Sequence, residues 1–143
     1  DWPRVMNPSL RFPVNEEEFQ RVRRAENESL DQIKNAFATR KDEICCVVLE
    51  PIQAEGGDNH FRPEFLRALR DLAHENRALL AFDEVQTGVG LTGRFWAHQH
   101  FDVRFPNIAA SLAAAGSLAV PWGGWRWYSG SSMTSRSSAR ASQ

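Results

Sequence analysis

Apolar residues along this chain are spaced in two ways, at helical intervals in some stretches and in unbroken runs in others. Phe19, Val22, Leu30, Ile33 and Phe37 recur at near-helical spacing, which predicts a helix from Asn15 to about Thr39. Asn15 is a capping residue, and Glu16, Glu17 and Glu18 fall in the first turn, where negative charge suits the helix dipole. The other face carries Arg21, Arg23, Arg24, Glu26, Glu28 and Lys34, a charge alternation expected of a solvated surface. Ile44 to Leu49 is by contrast continuous, rich in β-branched residues, and closed by Glu50-Pro51. It predicts a strand buried on both faces, ended by the proline. Pro63 then suits the first turn of a second helix. Phe65, Leu66, Leu69, Leu72 and Ala73 form its apolar stripe, and Arg67, Arg70, Asp71 and Glu75 its polar one, up to about Asn76. Ala78 to Phe82 predicts a second buried strand. Residues 1–14, with three prolines, and residues 52–62 read as irregular.

Strand, helix and strand in this order make a βαβ unit with a right-handed crossover, and hence an α/β fold with a parallel core. Parallel strands end at a common edge, so Glu50 and Asp83 are placed together there, with the glycine-rich turn Glu55-Gly56-Gly57 beside them. Ligands of α/β sheets bind beyond the carboxyl ends of the strands. A carboxylate in such a crevice is costly unless paired, and the partner expected for Asp83 is a ring nitrogen of a bound cofactor.

Composition narrows the function classes. A net charge of −1 gives no electrostatic reason to expect nucleic acid or an anionic membrane as partner. No apolar run approaches the roughly 20 residues of a membrane span. Asp1-Trp2-Pro3-Arg4 shows neither an initiator methionine nor a signal-peptide pattern, as expected for the interior of a longer chain. Cys45 and Cys46 are adjacent, and neighbours in a strand face opposite ways, so they read as two small buried side chains in a reducing, cytoplasmic setting. His98-x-His100 has no third ligand nearby and reads as surface or packing rather than as a metal site. No glycine-rich loop has the spacing of a nucleotide-binding motif.

Two separated stretches, Glu50-Pro51-Ile52-Gln53-Ala54-Glu55-Gly56-Gly57-Asp58 and Phe82-Asp83-Glu84-Val85-Gln86-Thr87-Gly88, together resemble the class III aminotransferases, pyridoxal-phosphate enzymes of fold type I. Asp1-Trp2-Pro3-Arg4, Asn59-His60-Phe61-Arg62-Pro63-Glu64-Phe65 and Gly90-Leu91-Thr92-Gly93 are most similar to the lysine 6-aminotransferases. Phe95-Trp96-Ala97-His98 is shared with the 4-aminobutyrate enzymes. The resemblance runs from residue 1 to about residue 108 and implies a fragment of the large cofactor-binding domain. It implies that Asp83 pairs with the protonated pyridine nitrogen of pyridoxal 5'-phosphate. Gln86 donates to the ring's phenolic oxygen or sits beside the ring. Glu55 is the gate residue, covering an arginine beyond this chain while lysine is bound and swinging aside for 2-oxoglutarate. Glu50 is a supporting carboxylate. The implied reaction moves the terminal amine of L-lysine to 2-oxoglutarate in a homodimer; the same chemistry on 4-aminobutyrate or ornithine is the alternative.

One part of the family pattern is missing. Fold type I enzymes need a lysine that holds the cofactor covalently and then shuttles a proton. In the family it follows a segment resembling Pro106-Asn107-Ile108-Ala109-Ala110, where this chain reads Ser111-Leu112-Ala113-Ala114. Its two lysines are Lys34 and Lys41, far upstream. From residue 108 onward there is no Asp, Glu or Lys, and Ser, Ala and Trp accumulate. Residues 109–143 are therefore expected to be a disordered or frameshifted tail. A Phe-Gly-Lys-Lys reading in another frame of the source DNA would support the frameshift, and its absence from both frames would refute it. The chain is expected to be an inactive fragment, or else a truncated paralogue that docks on an intact subunit.

Overall fold

A computed structural model describes residues 2–103. Its elements are α1 (Glu16–Thr39), β1 (Cys46–Leu49), β2 (Ile52–Gln53), β3 (Asn59–His60), α2 (Pro63–Glu75) and β4 (Leu79–Phe82), followed by a short 3-10 helix at Ala97–His100. β1 and β4 pair in parallel across α2, in the register Val47 opposite Leu80 and Leu49 opposite Phe82. The βαβ unit and its parallel core are thus present, and the mixed α/β class expected from the apolar pattern holds.

Each helix begins where its sequence signature places it. The Asn15 side chain accepts the Glu18 backbone N–H at 2.8 Å and caps α1. Pro63 opens α2, which ends at Asn76. The apolar stripe of α2 packs on β4: Phe65, Leu66, Leu69, Leu72 and Ala73 join Leu80 and Phe82 in one core, to which α1 adds Ile33 and Phe37.

Several details differ from the expectation. Glu26, counted with the solvated face of α1, is buried and forms a two-pronged ion pair with Arg62, Oε1 to Nε at 2.9 Å and Oε2 to Nη2 at 2.5 Å. Arg21 is half-buried and binds both Glu18 and the Ser9 carbonyl. The stretch between Pro51 and Arg62 is not wholly irregular, since β2 and β3 pair antiparallel, and Leu10 of the lead-in adds a bridge to His60. β1 is not buried on both faces: Val48 is 45% exposed, because β1 and β4 form a two-stranded sheet among the described residues and its second face is uncovered. Cys45 is exposed and Cys46 half-buried, both as free thiols. The expectations for residues 109–143, and for the Leu112–Ala114 neighbourhood, lie outside the described residues.

Candidate active site

The register of the two parallel strands builds the site. Leu49 lies opposite Phe82, so the next residue of each strand, Glu50 and Asp83, leaves the sheet at the same edge. The Asp83 N–H donates to the Leu49 carbonyl at 2.9 Å, which continues the ladder one step and fixes the backbone of the acid. Its carboxylate Oδ1 accepts the Val85 N–H at 3.1 Å, so the chain turns immediately after Asp83 and folds back over it.

Glu50 is half-buried, and its carboxyl is pushed above the ordinary range, first by burial and then by the negative charges of Asp83 and Glu55. The three acids expected at this edge therefore share one electrostatic neighbourhood. Among the described residues no ion pair links any of them to Arg, Lys or His. An edge with several carboxylates and no cationic partner among the described residues is chemically suited to a positively charged group.

Glu55 is exposed on the turn joining β2 and β3. That turn is tied down by Asn59, whose Nδ2 donates to the Gly56 carbonyl at 2.9 Å and to Gln53 Oε1 at 3.0 Å. Gly57 adopts φ 110°, a conformation that glycine takes freely. Gln86 is exposed in the turn after β4. Both side chains are thus open to solvent on the turns that flank Asp83.

Neither lysine reaches this edge through the fold. Lys34 sits on the exposed face of α1, paired with Asp31 at 2.9 Å. Lys41 is exposed in the turn leading into β1, at the amino end of the sheet. The two histidines of His98-x-His100 have separate partners: His98 Nδ1 lies 2.6 Å from Glu84 Oε1, and His100 Nε2 lies 3.0 Å from the Thr92 carbonyl. No group of three potential metal ligands occurs among the described residues. Glu84 is the residue that the reading of the sequence passed over. Its signal was the acid doublet Asp83-Glu84 after a buried strand, where one acid must turn away from the edge.

An α/β unit with an acid at the end of each of its two parallel strands carries a candidate ligand site beyond the strand ends, and comparison with known proteins specifies its family. The family model for aminotransferase class III matches residues 1–116. The L-lysine-epsilon aminotransferase of Mycobacterium tuberculosis is 53% identical over 110 residues, which is 77% of this chain and 24% of that protein. The 4-aminobutyrate aminotransferase of Emericella nidulans is 42% identical over 106 residues, 74% of this chain and 21% of that protein. The solved structure of the lysine aminotransferase from M. tuberculosis superimposes with a TM-score of 0.69 at 50% identity, covering 79% of this chain and 25% of that one. The chain belongs to the class III aminotransferases, enzymes that depend on pyridoxal phosphate. It spans about a quarter of the length of the curated relatives it matches.

Proposed function

We propose that this chain is the segment of a lysine-directed transaminase that holds the pyridine ring of pyridoxal phosphate. The observation that carries the reading is the placement of Asp83, fixed by the Leu49 carbonyl and the Val85 amide, beside Glu50 and with no cationic partner among the described residues. A carboxylate so placed would hold a ring nitrogen in its protonated, cationic form. When bound, the cofactor supplies an electron sink for the carbanion left by loss of a substrate proton. Gln86 would bind the phenolic oxygen or flank the ring. Glu55, exposed on its anchored turn, would cover or release an arginine as lysine and 2-oxoglutarate alternate. A homodimer in the cytoplasm is part of the same proposal.

The substrate reading is supported by 53% identity to a lysine enzyme, against 42% to a 4-aminobutyrate enzyme. Grafting residues 2–103 into the lysine aminotransferase of M. tuberculosis, in place of the matching segment, tests it. The chimera should turn over L-lysine with a higher kcat/KM than 4-aminobutyrate or ornithine, and Asp83→Ala should abolish turnover of all three. Preference for 4-aminobutyrate would reject the lysine reading; full activity of the Asp83→Ala chimera would reject the site itself.

The 143-residue chain alone is inactive on this reading, because Lys34 and Lys41 sit away from the carboxyl edge and Ser111 to Ala114 contain no amine. Lysine-dependent glutamate formation by the purified chain would refute this. A second reading, a truncated paralogue that docks on an intact subunit, draws on the apolar side chains left open at Val48, Leu79, Leu91 and Phe95. Co-purification with a full-length subunit would favour it.

A further inference from the structure

Directly after Asp83 comes a second acid for which transamination has no stated use. Glu84 is 0% exposed. Its carboxylate takes no Lys or Arg partner among the described residues and instead accepts three N–H groups: the backbone amide of Ala97, the backbone amide of His98 at 3.2 Å, and His98 Nδ1–H at 2.6 Å. The His98 ring in turn lies nearly parallel to Phe82, with centroids 6.0 Å apart and planes 11° from each other. Phe82 and Glu84 are the two neighbours of Asp83. One imidazole therefore grips the chain on both sides of the acid, by stacking before it and by hydrogen bonding after it.

The turn itself is closed tightly. The Gly88 N–H donates to the Glu84 carbonyl at 2.8 Å. A Cβ on Gly88 would stand 2.8 Å from that oxygen and 3.0 Å from the Trp96 ring, so only glycine lets the turn pack here. A buried carboxylate is costly, and an apolar side chain of similar volume would serve a core at least as well. Glu84 thus has more to do than fill space.

We propose that Glu84 and His98 are positioning residues: together they lock the Asp83–Gly88 turn against the 3-10 helix, so that Asp83 and Gln86 are presented to the cofactor ring in one orientation. The inference rests on the assignment of Asp83 to the ring nitrogen. The lock is direct and local, because Asp83 lies between the two gripped positions and the Val85 amide that it holds directly follows the second of them.

Amide hydrogen exchange in the full 143-residue chain tests it without cofactor or activity. His98→Phe keeps the stack on Phe82 and removes the Nδ1 donor, while His98→Asn returns an N–H near the Nδ1 position. In the His98→Phe chain, the Val85 and Gly88 amides should exchange faster by about tenfold or more while Leu66, Leu69 and Ala81 keep their rates, since exchange reports the local opening equilibrium. His98→Asn should restore most of the protection. An equal acceleration at all five amides would mean that His98 merely stabilises the fold, and unchanged rates at Val85 and Gly88 would mean that no lock exists; either result overturns the proposal. The exchange pattern involves no cofactor. Failure of the Asp83 assignment would instead appear as an active Asp83→Ala chimera, so the two failures are distinguishable.

Discussion

Asp83 and Glu50 leave adjacent parallel strands, and the Glu50 carboxylate feels the charge of Asp83. Burial and the charges of Asp83 and Glu55 raise the Glu50 carboxyl, so the folded chain binds more protons there than the unfolded chain just above the ordinary carboxylate range. Stability from this group therefore falls as pH rises through that window. Asp83→Asn should move the Glu50 carboxyl part of the way back toward its ordinary value, leaving the larger contribution of burial, as read by carbon-13 titration. No downward movement would separate the two acids and undo the site. Glu18 has the opposite sign. Its carboxyl is held down at about 2, from an ordinary 4.5, chiefly by the hydrogen bond from Arg21. The stability it contributes is complete above 4.5 and is lost as pH falls toward 2. Urea midpoints of the native chain should therefore drop more steeply across this acid range than those of Glu18→Gln; parallel curves would contradict the pairing. Of these residues, Asp83 and Glu50 were legible in the sequence because strand ends are marked by where apolar runs stop. Glu18 was legible only as a first-turn acid, since its partner Arg21 was assigned to solvent.

At the level of elements, α1, α2 and the two parallel strands followed from apolar spacing, with the Asn15 cap and Pro63 marking where the helices begin. What local spacing did not reveal is how the elements are fastened together. Arg62 precedes α2 by one residue and binds Glu26 in the middle of α1, with both side chains largely removed from solvent. A charged residue on an otherwise charged helix face looks solvated until a distant partner is placed over it, and these two stand 36 residues apart. The Glu84–His98 contact, 14 residues apart, was hidden for the same reason. Arg62→Met leaves Glu26 buried without its partner and should cost about 3–5 kcal/mol in urea unfolding at neutral pH. Arg62→Met with Glu26→Leu should recover much of that loss, because no unpaired charge remains. A cost below about 1 kcal/mol for the single change would show that the pair is weak and solvated.

As a whole molecule, residues 2–103 form a small α/β unit whose sheet has two strands and an uncovered face, with Val48 and Leu79 open to solvent. The chain spans about a quarter of the length of the curated relatives it matches. Asp83, its neighbour Glu50, the turn bearing Gln86 and the hairpin bearing Glu55 lie at one sheet edge, the arrangement that the proposed ring-nitrogen site requires. What the chain does not supply is an amine at that edge. Purified protein mixed with pyridoxal phosphate, scanned by absorbance and then reduced with borohydride and mapped by peptide, tests this most directly. The expected result is no stoichiometric attachment of cofactor to any lysine-containing peptide. Stoichiometric attachment at Lys34 or Lys41 would contradict it, because a lysine would then reach the cofactor and the site would lie elsewhere than at Asp83.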